Sequence, residues 1–197
     1  MILNILGAGG SGKTSLKFFL KKQKGFYTFV TLTTREKRNG EIDGIHYKFV
    51  TIDKFKKDKN IAMVRDMGKG RLYGNKKDDI TNHKNITVTT LDVNGVKQLK
   101  SMGLPVSVVY LDISEKERRK RMLERGDDLR QVLERLKIDR FAFQEFDLSC
   151  PMLKISEGSI EDIFKKIKNF LKNPKRLSAK DGLLLIKNYG TKNYDKK

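Results

Sequence analysis

The stretch GAGGSGKTS, Gly7–Ser15, follows the apolar run MILNIL and decides the fold. It fits G-x-x-x-x-G-K-[ST] at every fixed position, a pattern whose glycines let successive backbone N–H groups point into one concave anion site. The run before it predicts a buried strand, and SLKFFLKKQ after it predicts a helix whose N-terminus adds partial positive charge. This context predicts a nucleotide-binding loop rather than a chance glycine-rich turn. The residues expected to contact the phosphates are Gly7, Gly9, Gly10, Ser11, Gly12, Lys13, Thr14 and Ser15.

Two side chains of this loop have specific expected roles. Lys13 is expected to reach the β- and γ-phosphates, and the Thr14 hydroxyl is expected to ligate Mg²⁺. Many unrelated proteins hold ATP or GTP in this way, so the loop leaves open which molecule receives the phosphate.

The composition indicates one domain with small insertions and a strongly basic surface. The chain has 197 residues, and its 43 Lys and Arg against 24 Asp and Glu give a net charge of +19. Because the cations are scattered along the sequence, most of them are expected to lie on solvated faces and to attract anionic nucleotides. Aromatic residues are not interleaved with them as a stacking platform requires, so a nucleic-acid partner is disfavoured.

The numbers and positions of the cysteine, histidine and apolar residues argue against a disulfide-stabilised protein, a histidine metal site or a membrane-spanning protein. The single Cys150 excludes an internal disulfide framework and fits a reducing cytoplasm. The separation of His46 from His83 argues against a metal site built from them. No run of 18 apolar residues is present, and MILNIL is too short for the core of a signal peptide. We therefore expect a cytoplasmic protein that does not enter a membrane, and the sequence leaves its oligomeric state open.

Apolar runs alternating with helical patterns predict an α/β fold, with a mainly parallel sheet and helices on both faces. The remainder after Asn173-Pro174 is a basic tail whose apolar segment Leu183–Ile186 is expected to dock on the domain. The strand-like runs are residues 2–6, 28–33, 47–50, 86–91, 106–111 and 152–155, and further helices are expected near Asn94–Lys100, from a capping box at Ser114 to Glu124, from Leu129, and from Ser159 to Asn173.

A second phosphate site is indicated between two of the strand-like runs. Arg35, Arg38, Glu41 and Tyr47 fall at separations of three, three and six residues. Two guanidinium groups and a phenol within this short segment can converge on a phosphate distinct from the one in the loop. From these residues alone, a solvated surface hairpin is an equally good interpretation.

The same segment, T-x-T-T-R-x-x-R-x-G-E-x-x-G-x-x-Y-x-F-V at Thr31–Val50, closely resembles the GMP-binding segment of guanylate kinases. The likeness extends from residue 1 to about residue 172. The further matching motifs are Tyr73-Gly74, Asp92-Val93-Asn94-Gly95, Arg121-Met122-Leu123-Glu124-Arg125-Gly126 with Arg135-Leu136, and Phe146-Asp147.

The resemblance implies an ATP- and Mg²⁺-dependent nucleoside monophosphate kinase whose acceptor is a nucleoside or deoxynucleoside monophosphate, with GMP or dGMP as the first candidate. It implies a P-loop sheet of residues 1–30, 83–115 and 146–172, an acceptor-binding insertion at 31–82 and a helical lid at 116–145, followed by the tail at 173–197. A kinase with a different base or a ribose bisphosphate acceptor, an inactive binding module of the same family, and a nucleic-acid-binding ATPase remain the alternatives.

The resemblance also implies roles for individual residues. Arg35, Arg38, Tyr47 and Tyr73 would hold the acceptor's phosphate, and Glu41 and Asp92 would shape the site. Asp92 would also orient the Mg²⁺ hydration shell or the acceptor. The lid arginines that would neutralise charge on the transferring group are Arg121, Arg125 and Arg135.

The base-reading positions depart from the family pattern. In a gap-free alignment from Tyr73-Gly74 backwards, the glutamate that reads guanine becomes Val64, and the hydroxyl after Y-G becomes Asn75. The earlier hydroxyl is kept as Thr31. Asp66 shares the face of Val64 on a strand and is a candidate substitute. We therefore expect relaxed or changed base specificity.

Overall fold

The computed structural model describes residues 1–38, 40–66, 68, 70–81, 84–142 and 149–175. The predicted features at His83, at Phe146-Asp147 and in the tail from residue 176 lie outside the described residues. The elements, in chain order, are β1 (Ile2–Gly7), α1 (Lys13–Lys21), β2 (Phe26–Thr28), β3 (Leu32–Thr33), β4 (Lys48–Phe49), α2 (Ile52–Lys57), β5 (Ile61–Asp66), β6 (Leu72–Lys76), α3 (Lys77–Thr81), β7 (Ile86–Thr89), α4 (Val93–Ser101), β8 (Val106–Leu111), α5 (Glu115–Glu124), α6 (Leu129–Ala142), β9 (Met152–Ile155) and α7 (Ile160–Lys172).

Five strands form a parallel sheet in the order β2-β7-β1-β8-β9. Side chains alternate across it, so that Ile2 and Leu6 of β1 pack on one face while Leu3 and Ile5 pack on the other. Helix α4 covers the first face, and α1 and α7 cover the second. The predicted α/β fold with a parallel sheet and helices on both faces is confirmed.

Four strands form a separate mixed sheet in the order β4-β3-β6-β5. The predicted strand at residues 28–33 is wrong in its continuity, because the chain leaves the parallel sheet after Thr28 and enters the second sheet at Leu32. Strands β5 and β6 were not among the predicted runs, since IAMVRD and LYGNK carry Gly, Asn and charged residues in place of an apolar alternation.

The helix boundaries follow the capping residues. The Ser114 hydroxyl accepts the N–H of Glu117 at 3.3 Å, and the Ser159 hydroxyl accepts the N–H of Asp162 at 3.1 Å. Helix α7 ends at Lys172 with Asn173 as its C-cap, where the sequence predicted the end of the helix. Helices α5 and α6 pack against each other through a small separate core of Met122, Val132 and Leu136. Within the described part of the chain, no helix combines the length and apolar character needed to cross a membrane.

Candidate active site

The predicted phosphate-binding loop connects β1, the central strand of the parallel sheet, to α1. Gly12 is the N-cap of α1, with a left-handed φ of 92°, and no side chain caps the helix. The first N–H groups of a helix have no intrahelical partner, so those of Lys13, Thr14 and Ser15 can bind an anion. The buried Ser11 hydroxyl has no hydrogen-bond partner within the described residues. The N–H groups at the start of α1 are therefore the donors that a phosphate can satisfy.

The Lys13 ammonium turns onto the loop itself, where Nζ donates to the carbonyls of Gly7 at 2.5 Å and Ala8 at 2.8 Å. Burial, and then the charge of Arg135, lower the pKa of Lys13 from 10.5 to about 7, while the carboxylate of Asp139 acts in the opposite direction. A nucleotide phosphate would supply the negative charge that favours the protonated form of this lysine.

Arg35 occupies the centre of a second basic cluster, on the four-stranded sheet. Its Nη2 donates to the two carboxylate oxygens of Glu41 at 2.8 and 3.0 Å, and its Nε donates to the Tyr73 hydroxyl at 3.2 Å. Its guanidinium lies 5.3 Å from the centroid of the Tyr47 ring. Burial opposes ionisation here, but the hydrogen bonds to Glu41 and Tyr73 prevail and raise the pKa of Arg35. The structure thus brings four predicted acceptor-site residues together.

Arg38 joins this cluster through its backbone. Its N–H donates to Oε2 of Glu41 at 2.8 Å, while the residue as a whole is exposed. Although burial acts against it, hydrogen bonding to Arg35 and to the backbone of Arg38 lowers the pKa of Glu41. An ionised Glu41 therefore fixes one arginine side chain and the backbone of the other.

Cross-strand register places Thr31, Tyr73 and Asn75 on one face of the four-stranded sheet. Tyr73 lies directly opposite Thr33 of β3 and Arg65 of β5, and directly opposed residues share a face. Thr31 precedes Thr33 by two residues and therefore lies on the same face. Its hydroxyl donates to Oδ1 of Asn75 at 2.9 Å. Thr31 and Asn75 therefore form a hydrogen-bonded polar pair on this face, which a nucleotide base could contact.

Val64 and Asp66 lie on the opposite face of β5. Val64 lies across from Gly74, where an added Cβ would come within 2.7 Å of the Phe55 ring in α2. Val64 is 47% exposed, and Asp66 accepts the N–H of Gly68 at 2.7 Å. Asp66 does share the face of Val64. However, strand alternation turns both away from the threonine–asparagine pair, and their contact with the base stays a prediction.

Asp92 lies after β7 and caps α4. Its Oδ1 accepts the N–H of Gly95 at 2.9 Å, and its Oδ2 pairs with Nε of Arg65 at 3.0 Å. This ion pair joins the four-stranded sheet to the parallel sheet. Among the described residues, no group of three or more His, Cys, Asp or Glu side chains gathers as a metal site. A Mg²⁺ ion that is bound mainly by phosphate oxygens and water, with Thr14 as a protein ligand, fits this donor set.

Two of the predicted lid arginines approach the phosphate-binding loop. The Arg135 stem lies 3.0 Å from the position that a Cβ on Gly9 would take, and Arg121 Nη1 lies 3.8 Å from the corresponding position on Gly12. A Cβ added to Gly10 would lie 2.8 Å from the carbonyl oxygen of Arg118 in α5. The glycines of the loop therefore let the lid helices pack directly against it.

The third lid arginine, Arg125, lies at the end of α5 and bonds the carboxylate of Asp127 in the following turn. Arg121 likewise pairs with Glu117, one helical turn earlier, at 2.9 Å. Both of these ion pairs are solvent-exposed, so they hold their arginines only weakly.

The sequence matches known proteins along most of the chain. The sequence model of one family, guanylate kinase, matches residues 2–174. The chain belongs to the guanylate kinase family. It is 33% identical over 141 residues to a guanylate kinase of Wolinella succinogenes, a match that covers 68% of this chain and 66% of that relative. It is 28% identical over 182 residues to a guanylate kinase of Clostridium perfringens strain SM101, covering 87% and 82%. The chain thus spans just under two thirds of the length of the first relative.

The fold agrees with this family. The crystal structure of guanylate kinase from Anaplasma phagocytophilum superposes with a TM-score of 0.62, covering 95% of this chain and 94% of that one at 19% identity. At this identity the likeness concerns the arrangement of strands and helices alone.

Three charged residues of this guanylate kinase family member lie at the site but were not predicted from its sequence. They are Arg65, which pairs with Asp92, and the buried Arg118 and Asp139, which contact the phosphate-binding loop. Asp139 follows Arg135 by four residues on α6, a spacing that favours an ion pair. Arg65 gives no such local signal, because its position depends on the register between β5 and β6.

Proposed function

We propose that the protein transfers the γ-phosphate of ATP to a nucleoside monophosphate, with GMP or dGMP as the first acceptor. The observation that carries the proposal is the pair of separate anion sites: the loop around Lys13 and the cluster around Arg35. They lie on two sheets that the Arg65–Asp92 ion pair joins. Membership of the guanylate kinase family supports the assignment of donor to the loop and acceptor to the cluster.

On the donor side, the N–H groups at the start of α1 and the Lys13 ammonium bind the phosphates of ATP. The exposed Thr14 hydroxyl holds Mg²⁺ together with phosphate oxygens. The ion neutralises charge that develops on the β- and γ-phosphates.

On the acceptor side, the Arg38 guanidinium is exposed and Arg35 is held in place by Glu41 and Tyr73. Together they fix the acceptor phosphate so that one of its oxygens attacks the γ-phosphorus. The bond from that phosphorus to the β–γ bridging oxygen breaks, and ADP leaves with the electron pair. An ionised phosphate oxygen is an adequate nucleophile, so positioning and charge neutralisation by the lid arginines Arg121, Arg125 and Arg135 account for catalysis.

The base lies against the face that carries Thr31, Asn75 and Arg65. On this side, among the described residues, the carboxylates of Glu41 and Asp92 each hold an arginine. A guanine on this face can therefore contact the Asn75 amide and the Thr31 hydroxyl. It can reach the Asp92 carboxylate only by displacing Arg65. Sites that reject a wrong substrate by leaving a buried polar group unpaired discriminate by about 10⁴-fold or more. Because the carboxylates on this face are already paired with arginines, a wrong base leaves none of them unpaired, and we expect weaker discrimination among bases.

A coupled assay of ADP formation tests the proposal, with ATP, Mg²⁺ and each nucleoside or deoxynucleoside monophosphate in turn. We expect turnover that depends on the acceptor, is fastest with GMP or dGMP, and is absent in Lys13→Ala. ADP formation no faster with any acceptor than without one would exclude the kinase function and favour a binding module. A preference for GMP over all other acceptors of more than about 10⁴-fold would refute the base argument alone.

A further inference from the structure

Asp139 is a buried carboxylate on the highly charged lid helices. Its side chain is 3% exposed, and that of its neighbour Arg118 is 2% exposed. A buried charge is costly unless it is paired and hydrogen-bonded, and removing one partner leaves the other uncompensated. The contacts of this buried carboxylate, which an apolar residue could not make, therefore offset the cost of its burial.

Those contacts join three parts of the site. Oδ2 accepts the backbone N–H of Gly9, in the phosphate-binding loop, at 2.6 Å. The same oxygen pairs with Nη1 of Arg118, on α5, at 3.3 Å, and Nη1 also donates to the Gly9 carbonyl at 3.2 Å. The second oxygen, Oδ1, pairs with Nε of Arg135 at 3.1 Å. One carboxylate thus ties α5, α6 and the loop together at Gly9.

This arrangement determines where Arg135 can point. Asp139 holds Arg135 through Nε, one of its five N–H groups, and the side chain keeps 40% of its surface exposed. Its Cγ and Nε both lie 3.0 Å from the position of a Cβ on Gly9. The stem is therefore fixed against the loop, and the terminal N–H groups lie beyond the anchored Nε, where they can meet a phosphate.

We propose that Asp139 is a positioning residue for phosphoryl transfer, which acts by anchoring the lid arginine Arg135 against the phosphate-binding loop at Gly9. The proposal rests on the kinase function proposed above and deepens it, since it says how one lid arginine is held in place over the loop. Asp139 touches no reacting atom and acts only through Arg135 and the loop.

The test is a double-mutant cycle between Asp139→Asn and Arg135→Ala, with kcat and KM measured for ATP and for the acceptor. In the wild-type background, Asp139→Asn should lower kcat by about tenfold or more while changing the KM for the acceptor by less than about threefold. In the Arg135→Ala background, the same substitution should change kcat by less than about twofold, because the two residues act as one unit. Equal losses in both backgrounds would overturn the proposal.

A matched control is Glu115→Gln, which removes the pairing of Arg140 with Glu115 between the same two helices. This variant should keep its kcat; a loss equal to that of Asp139→Asn would mean that any contact between the lid helices suffices, and would refute the specific role. If Asp139→Asn does not fold, the paired variant Arg118→Met/Asp139→Asn leaves no buried charge unpaired. It should show the same loss of kcat, and wild-type kcat in this variant would refute the proposal.

The Gly9 contact can be measured without any turnover. The amide proton resonance of Gly9 should lie downfield in the wild type and move upfield in Asp139→Asn but not in Glu115→Gln. An unchanged Gly9 resonance would overturn the anchoring contact whatever the activity. A displaced resonance together with an inactive wild type would instead refute the kinase function and leave the contact intact.

Discussion

We expect Lys13 to couple nucleotide binding to proton uptake, because its pKa of about 7 in the protein alone lies far below its ordinary value of 10.5. Burial and the neighbouring arginines cause this shift, which corresponds to about 5 kcal/mol in favour of the neutral amine at about 1.4 kcal/mol per pKa unit. Bound β- and γ-phosphates place negative charge next to Nζ and should raise the pKa back toward that ordinary value.

The direction of the effect follows from these two values. At about pH 6 the lysine is already protonated in the protein alone, so ATP binding should take up only about 0.1 proton. At about pH 8 it is mostly neutral without ATP and protonated with it, so binding should take up about 0.9 proton. The Kd for ATP should accordingly rise nearly tenfold between about pH 8 and pH 9.

Calorimetric titration with Mg²⁺ and ATP, in two buffers of different ionisation enthalpy, measures this uptake. Lys13→Arg should abolish it, because a guanidinium stays charged at both pH values. Lys17→Met is the matched control, since Lys17 is another lysine with a pKa lowered by burial, to about 8, whose Nζ bonds the Phe29 carbonyl away from the loop. Wild-type uptake close to zero at about pH 8 would refute the reasoning.

Two further substitutions test the acceptor side. Arg38→Lys should raise the KM for the acceptor and lower kcat while leaving ATP affinity nearly unchanged, because lysine keeps the charge but cannot form a bidentate contact with phosphate. Binding and steady-state assays measure both affinities, and an equal loss of the two would contradict the separation of the two sites. Val64→Glu should leave the ratio of kcat/KM values for GMP and AMP within about twofold of the wild type, because this side chain lies on the face of β5 that packs toward α2. A sharpened preference for guanine would show that position 64 does reach the base.

The parallel sheet and the loop could be predicted because their signals are local. The loop motif fixes its own backbone geometry through Gly7–Thr14, and the flanking apolar runs are short, strong and correctly spaced. The helix starts at Ser114 and Ser159 could be predicted for the same reason, since each capping serine accepts a hydrogen bond within its own first turn.

The face of β5 could not be predicted, because register is not a local property. From Val64 to Asp66 the pairing with β6 is regular and opposes Val64 to Gly74 and Arg65 to Tyr73. Which of these alternating residues faces the Thr31–Asn75 pair depends on how β6 pairs with both β5 and β3. A gap-free alignment counts positions and does not specify a face, so it selected Val64, whereas the structure turns Arg65 toward Tyr73 and Asp92.

The arginines of the site differ in how firmly a carboxylate holds each of them, and this difference suggests an order of events. Arg35 with Glu41 and Arg135 with Asp139 are held by carboxylates that are largely buried, at 15% and 3% exposure. The partners of Arg121 and Arg125, Glu117 and Asp127, are more exposed, and exposed pairs are worth only about 0.2–1 kcal/mol. The first two arginines are thus already in place before either nucleotide arrives. The other two can leave their carboxylates at little cost, so they are the lid residues expected to move onto the phosphates as transfer begins.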